Sequence, residues 1–239
     1  MNAKEIKERI DKLKPGEAGQ MWDIFFNALE SGVRIVGPDV NQENCTETTV
    51  IKDSVKLPLS WLKSISPALL KGIAKCKGHG YKSKGDFICV NSELTDQNIE
   101  DLYVTGCLDE LTEESMPGTL WQFKWDKVKT ITTQERRKKE ILILGAPIRL
   151  ISVPRSKWVI KSIGAVKNGG LKDAVIWGET IAWDSSNREI TVFDGFRKMS
   201  LKVGNPASWS SVERNGLYIQ KFYKIVKGNE GYELVKALV

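Results

Sequence analysis

The 239-residue chain has a single histidine, His79, and only four cysteines, Cys45, Cys76, Cys89 and Cys107. One histidine, with no serine or cysteine nucleophile in a recognisable motif beside it, leaves a catalytic triad without its parts. The start, MNAKEIKERIDKLK, reads as a charged helix without the apolar centre of an export signal, so the thiols are expected to be reduced. Cys76-Lys-Gly-His79 followed by Cys89 supplies one tight pair where zinc sites usually carry two, and no metal or cofactor is expected. Asp39 and Glu47 lack the acidic-x-lysine step that metal-dependent nucleases need. No run approaches the roughly 18 apolar residues of a membrane span. A cytoplasmic protein without membrane contact is the resulting expectation.

What is present is charge, and it is segregated. Lys and Arg outnumber Asp and Glu by 36 to 30, a net charge of +6, which is compatible with a polyanionic partner. Nine acidic residues fall between Gly85 and Met116 (Asp86, Glu93, Asp96, Glu100, Asp101, Asp109, Glu110, Glu113, Glu114), with no Lys or Arg among them. Thirteen Lys and Arg fall between Lys124 and Lys172 against Asp126, Glu135 and Glu140. The basic half is expected to face something acidic.

Apolar spacing predicts helices over 3–14 and 17–31, the second carrying Met21, Ile24, Phe25 and Leu29 before the stop Gly32, then a short strand in VRIVGPDVN. A helix is predicted from 83 and another over 94–111, with Thr95 as N-cap and Gly106 as stop. Residues 116–154 read as a connector with a cationic helix-like stretch and an apolar run closed by Pro147. From Trp158 the period switches to two, through WVIKSIGAV, KDAVIWGETIAWD, REITVFD, NGLYIQKFYKIV and YELVKAL, with a helix or loop near 196–212. Five short strands predict a small barrel of the oligonucleotide-binding or the SH3-like type.

Between 57 and 75, LPLSWLKSISPALLKGIAK reads as the end of a short helix, a hairpin Ser64-Ile65-Ser66, and a second helix. Helix-hairpin-helix elements offer backbone amides and a helix N-terminus to a DNA phosphate, and they usually build the hairpin from glycines. Here serines stand in those places. Serine still caps a helix, Pro67 suits its first position, and the hydroxyls have hydrogens to donate to phosphate. Lys63, Lys71 and Lys75 supply the cationic flank.

The order SGVRIVGPDVN (31–41), LPLSWLKSISPALLKGIAK (57–75) and HGYKSKGDFICVNSELTDQNIEDLYVTGCLDEL (79–111) resembles the C-terminal region of the bacterial and phage C-family replicative DNA polymerases, the α subunit of DNA polymerase III. In that family a Pro-Asp-Val-Asn stretch closes the fingers and a tandem helix-hairpin-helix follows. Tyr81-Lys82-Ser83 with Asp86-Phe87, and Gly106-Cys107-Leu108-Asp109, match steps of its second motif. RRKKEILILGAPI (136–148) resembles the lead into the family's oligonucleotide-binding barrel, and REITVFDGFRK (188–198) a strand within it.

The resemblance implies an α+β chain: N-terminal helices with a fingers-like end (1–44), a tandem helix-hairpin-helix domain (45–115), a basic connector (116–157) and a five-stranded barrel (158–239). It implies a non-catalytic DNA-binding part of a DNA polymerase, a separately encoded subunit or a fragment, because the palm and its metal-binding carboxylates have no counterpart here. The implied partners are duplex primer-template, single-stranded DNA and a catalytic polymerase chain. The sliding clamp is a further one, although Gln122-Phe123-Lys124-Trp125 departs from the clamp-binding pattern. Residues expected at DNA are Lys63, Ser64, Ser66, Lys71, Lys75, His79 and Lys82 in the helical part. In the barrel they are Lys161, Trp177, Phe193, Arg197, Lys221 and Tyr223, where bases stack on aromatic faces and cations follow the backbone. The competing expectations are a scaffold subunit that docks through its acidic 85–116 and basic 124–172 faces, and a free-standing single-strand binder.

Overall fold

The helix expected over 3–14 is shorter in the computed structural model, which describes residues 1–14, 18–76, 80–113, 120–148, 153 and 156–238. Helix α1 (Ala3–Ile10) starts at Asn2, whose side chain accepts the Glu5 amide while Glu5 returns the bond, and it buries Ile6 and Ile10. The chain divides into two compact units, Met1–Arg149 and Leu150–Val239. The first takes in the three segments expected as fingers-like end, hairpin domain and most of the connector. The fold is mixed α and β.

In the first unit, α2 (Ala18–Glu30) buries Met21, Ile24, Phe25 and Ala28 and stops at Gly32, whose φ is +73°. Strand β1 (Arg34–Val36) lies parallel to β3 (Ser54–Lys56), which pairs antiparallel with β2 (Thr49–Ile51). Only β1 of this three-stranded sheet is predicted by the sequence, because the β2–β3 turn uses Lys52 at φ +53° where a turn signal would be glycine or asparagine. Asn41 then ties the Pro-Asp-Val-Asn stretch to the far side of the unit. Its side chain donates to the Tyr81 carbonyl at 2.8 Å and accepts the Tyr81 amide at 2.8 Å.

Beyond the sheet, the first arm of the expected hairpin is a single 3-10 turn, Leu59–Trp61, not a helix. Its core residues Leu59, Trp61 and Leu62 are buried nonetheless. Helix α3 (Pro67–Cys76) follows, then α4 (Lys84–Val90) capped by Ser83 and α5 (Asp96–Val104) capped by Thr95. The α5 terminus is at Thr105. Gly106, at φ +81°, donates to Tyr103 and Cys107 to Leu102, the bond pair that closes a helix through a left-handed residue. Tyr81 locks α3 to α4, its hydroxyl donating to the Ile73 carbonyl at 3.0 Å and its ring meeting Phe87 edge-on at 4.8 Å. The stretch read as a connector holds two helices, α6 (Leu120–Lys129) and α7 (Thr133–Leu144), both packed on α5.

In the second unit, the segment WVIKSIGAV read as a strand contributes only β4 (Ile160–Lys161) before Ser162 caps α8 (Ile163–Gly169). Strands β5 (Asp173–Asp184) and β6 (Glu189–Phe193) fall where expected. The strand missed in the sequence is β7 (Lys198–Lys202), with α9 (Pro206–Asn215) after it, followed by β8 (Gln220–Lys227) and β9 (Tyr232–Leu238). The sheet order is β4-β5-β6-β7-β9-β8, and the additional β5–β8 pairing closes the last five strands into a ring. Ile176, Ile190, Val192, Met199, Leu201, Tyr223 and Ile225 fill its interior. Gly178 lets β5 approach β6 closely: a Cβ there would stand 2.6 Å from the Phe193 carbonyl oxygen and 2.7 Å from Val192.

Candidate nucleic-acid interface

At the turn before α3, Ser66 caps the helix, its Oγ accepting the Leu69 amide at 3.2 Å, and Pro67 occupies the first helical position. The amides of Ser66 and Ala68 have no acceptor among the described residues. They lie at the positive end of the α3 dipole. Ser64 differs from what the sequence leads one to expect. Its Oγ is buried without a partner, so the hydroxyl does not reach a surface ligand, and its carbonyl accepts the Asn98 side chain at 2.7 Å. Asn98 also closes the α5 capping box, so α5 fixes the hairpin from behind.

Lys63, Lys71, Lys75 and Lys82 are exposed, and none forms an ion pair among the described residues. Lys71 and Lys75, four residues apart, share one face of α3. His79 and the Cys76 side chain lie outside the described residues, and with them the expectation for a phosphate-contacting histidine and for the Cys-x-x-His pair. Among the described residues no group of three His, Cys, Asp or Glu is placed to hold a metal.

The basic stretch after residue 124 meets the acidic stretch of the same unit. Lys84 and Lys129 both pair with Glu113, at 2.9 Å and 2.8 Å, and Lys124 and Lys127 both pair with Asp96. Arg136 meets Asp109 at 2.8 Å while its guanidinium lies 4.2 Å from the Tyr103 ring, and Lys139 pairs with Glu100. Hydrogen bonds from Lys129 and then Lys84 hold the Glu113 carboxyl down at about 2. Arg137 and Glu140 form a buried pair, 6% and 2% exposed. Lys124, Lys127, Lys129, Arg136 and Lys139 of the basic segment thus face carboxylates on α5 and its flanks. Trp125, from the stretch nearest a clamp-binding peptide, is buried in α6 beside Tyr103.

On the ring, two of the expected stacking residues are corrected. Tyr223 is 2% exposed, its hydroxyl shares a hydrogen bond with Thr180 Oγ1 at 2.8 Å, and burial pushes its phenol up to about 12. Phe193 is 1% exposed. Neither has a face open to a base, because period-two alternation marks two faces without saying which is the interior. Trp177 is half-buried against Phe222, ring centroids 4.6 Å apart, with its indole N–H buried and unpartnered. Lys221 is partly exposed on β8, register-paired with Gly178, while Lys161 and Arg197 are exposed elsewhere on the unit. Trp177 and Lys221 lie on neighbouring strands, but Trp177 is paired with Phe222 and Lys221 with Gly178, so their side chains leave opposite faces of the sheet, and Lys161 and Arg197 do not join either of them.

The sequence reading passes over Phe196, which is 64% exposed in the turn between β6 and β7. A large aromatic inside the turn sequence Asp-Gly-Phe-Arg was the available signal. No helix among the described residues is long and apolar enough to cross a membrane. No family model matches this chain, and no curated protein matches it.

Proposed function

We propose that this chain is the non-catalytic DNA-binding part of a C-family replicative polymerase, with the hairpin before α3 gripping primer-template duplex and the ring holding single-stranded template. A catalytic chain is the implied partner. One observation carries the reading: the unpartnered amides of Ser66 and Ala68 open at a helix N-terminus, flanked by lysines that no carboxylate among the described residues neutralises. Such a site attracts a phosphate whatever the base attached to it. The serines stand in for glycine because the helix begins with Pro67 capped by Ser66, a geometry that needs no positive φ.

The paired arrangement of a 3-10 arm and α3, then of α4 and α5, supports a tandem of hairpins. For the second unit, the support is the ring order β5-β6-β7-β9-β8 with a parallel β7–β9 step and α9 inserted between β7 and β8. A five-stranded closed sheet of that connectivity favours an oligonucleotide-binding barrel over an SH3-like one. The scaffold reading loses part of its support, because Lys124, Lys127, Lys129, Arg136 and Lys139 of its basic face are paired with Asp96, Glu113, Asp109 and Glu100 of its acidic one.

The test is fluorescence anisotropy of the purified chain with single-stranded, duplex and primer-template oligonucleotides across a salt series. Preference for the primer-template junction with a steep salt slope is the expected result. Binding to single strands alone would make the chain a free-standing single-strand binder, and binding to none would overturn the proposal.

A further inference from the structure

The end of the ring that carries the β6–β7 turn is built differently from its walls. Asp194, buried just after β6, takes the Phe196 and Arg197 amides on Oδ1 at 3.0 Å and 2.8 Å, and the Ile163 amide on Oδ2 at 2.7 Å. One carboxylate therefore shapes the turn and holds the start of α8 beside it. The same neighbourhood is close-packed: Arg197 Nε lies 3.4 Å from where a Cβ on Gly164 would stand, and Lys167 donates to the Lys198 carbonyl at 2.9 Å. With Asp194 occupied by three backbone amides, the turn and the chain leading into α8 hold no other acidic residue, and the first on the neighbouring strand, the exposed Asp173, lies toward the Trp158 end of β4. The sequence has none in 156–172 and none in 195–205.

From this turn back along Lys161 and β4 to Trp158, toward the start of β5, the exposed side chains are aromatic and cationic. Phe196 is 64% exposed and Trp158, just before β4, is 39% exposed with the Lys157 ammonium 5.3 Å from its ring centre. Val159 is exposed between Trp158 and Lys161, and Lys157, Lys161 and Arg197 have no carboxylate partner among the described residues. An exposed phenyl ring in a rigid, amide-locked turn costs solubility and adds nothing to the interior. Rings of this kind beside unpaired cations suit unpaired bases, which present a π-face to stack, while phosphates run between the cations. Duplex DNA hides those faces within its own stack.

We infer that the turn Phe196-Arg197 together with Lys157–Lys161 is the single-strand contact of the second unit, with Phe196 and Trp158 as the stacking platforms and Lys161 and Arg197 as phosphate contacts. The inference rests on the reading of the ring as a single-strand binder. It moves the contact from the walls of the ring, where Phe193 and Tyr223 are buried, to the β6–β7 turn and the segment that leads into α8.

The experiment uses the full chain and a fluorescein-labelled oligothymidine, with a blunt duplex of the same length as reference. Phe196→Ala with Trp158→Ala is expected to weaken single-strand affinity about tenfold or more, leaving duplex affinity in place. Phe196→Tyr keeps a stacking face and should retain affinity, whereas Phe196→Leu keeps bulk without one and should lose it; both positions are exposed, so folding is checked by circular dichroism. Trp183→Ala, an exposed aromatic at the far end of β5, serves as the control and should change nothing. If the wild-type chain binds oligothymidine and the double variant binds it equally well, this site is wrong while the general reading stands. If the wild-type chain binds no oligothymidine, both fall.

Discussion

Two lysine-rich stretches of the first unit have similar composition and opposite fates. Between Lys124 and Lys139 nearly every cation reaches a carboxylate of the same unit, so the charge serves to hold α6 and α7 against α5. Around the hairpin, Lys63, Lys71, Lys75 and Lys82 reach none among the described residues, and the amides of Ser66 and Ala68 stand open between them. The first arrangement contributes to stability and the second is left for a ligand. A net charge of +6 does not distinguish them; the position of the acidic residues does.

The contrast breaks most severely at Arg137. Replacing Arg137 by Ala removes a buried guanidinium from beside the buried Glu140 carboxylate, and urea unfolding should show a loss of about 1.5–3 kcal/mol. Next in size is the hairpin itself. Lys63→Glu with Lys71→Glu should weaken duplex binding by roughly tenfold and reduce the salt slope by about 0.9 for each phosphate no longer neutralised, with the unfolding midpoint unchanged. Unaltered affinity and slope in anisotropy titrations would mean that the hairpin serves packing alone.

A smaller effect sharpens the paired side. The Glu113 carboxyl sits at about 2 when folded and near 4.5 when unfolded, so its contribution is fully present above the unfolded value and disappears as pH falls toward 2. More than half of the side chain is exposed, and solvent screening limits the contribution to under about 1 kcal/mol. Urea midpoints of wild type and Glu113→Gln should differ at pH 6 and converge near pH 2–3. Smallest of all, Lys127→Ala removes an exposed partner of Asp96 and should cost about 0.5 kcal/mol or less in the same assay.

What was legible in the sequence was local. Thr95, Ser83 and Gly106 announce their helix ends because a cap is an interaction between residues three or four apart. Strands β5, β6, β8 and β9 show in their alternation. The β2–β3 hairpin was hidden by the absence of a turn residue at Lys52, and α8 by a β-like apolar run that Ser162 nonetheless caps into a helix. Candidate-site residues failed for a different reason. Whether Tyr223 or Phe193 looks inward, whether Ser64 Oγ is covered, and which lysines find a carboxylate 30 residues away are all tertiary facts. Aromatics interleaved with cations describe a core strand as well as a binding surface.

The most direct measurement compares two variants of equal net charge, Lys63→Gln with Lys71→Gln and Lys127→Gln with Lys139→Gln, for duplex affinity at two salt concentrations. If the account is right, the first variant loses affinity and salt dependence while the second keeps both, since its lysines are already committed to Asp96 and Glu100. Equal losses in the two variants would mean that overall charge, and not the open hairpin, attracts the nucleic acid, and would contradict the account.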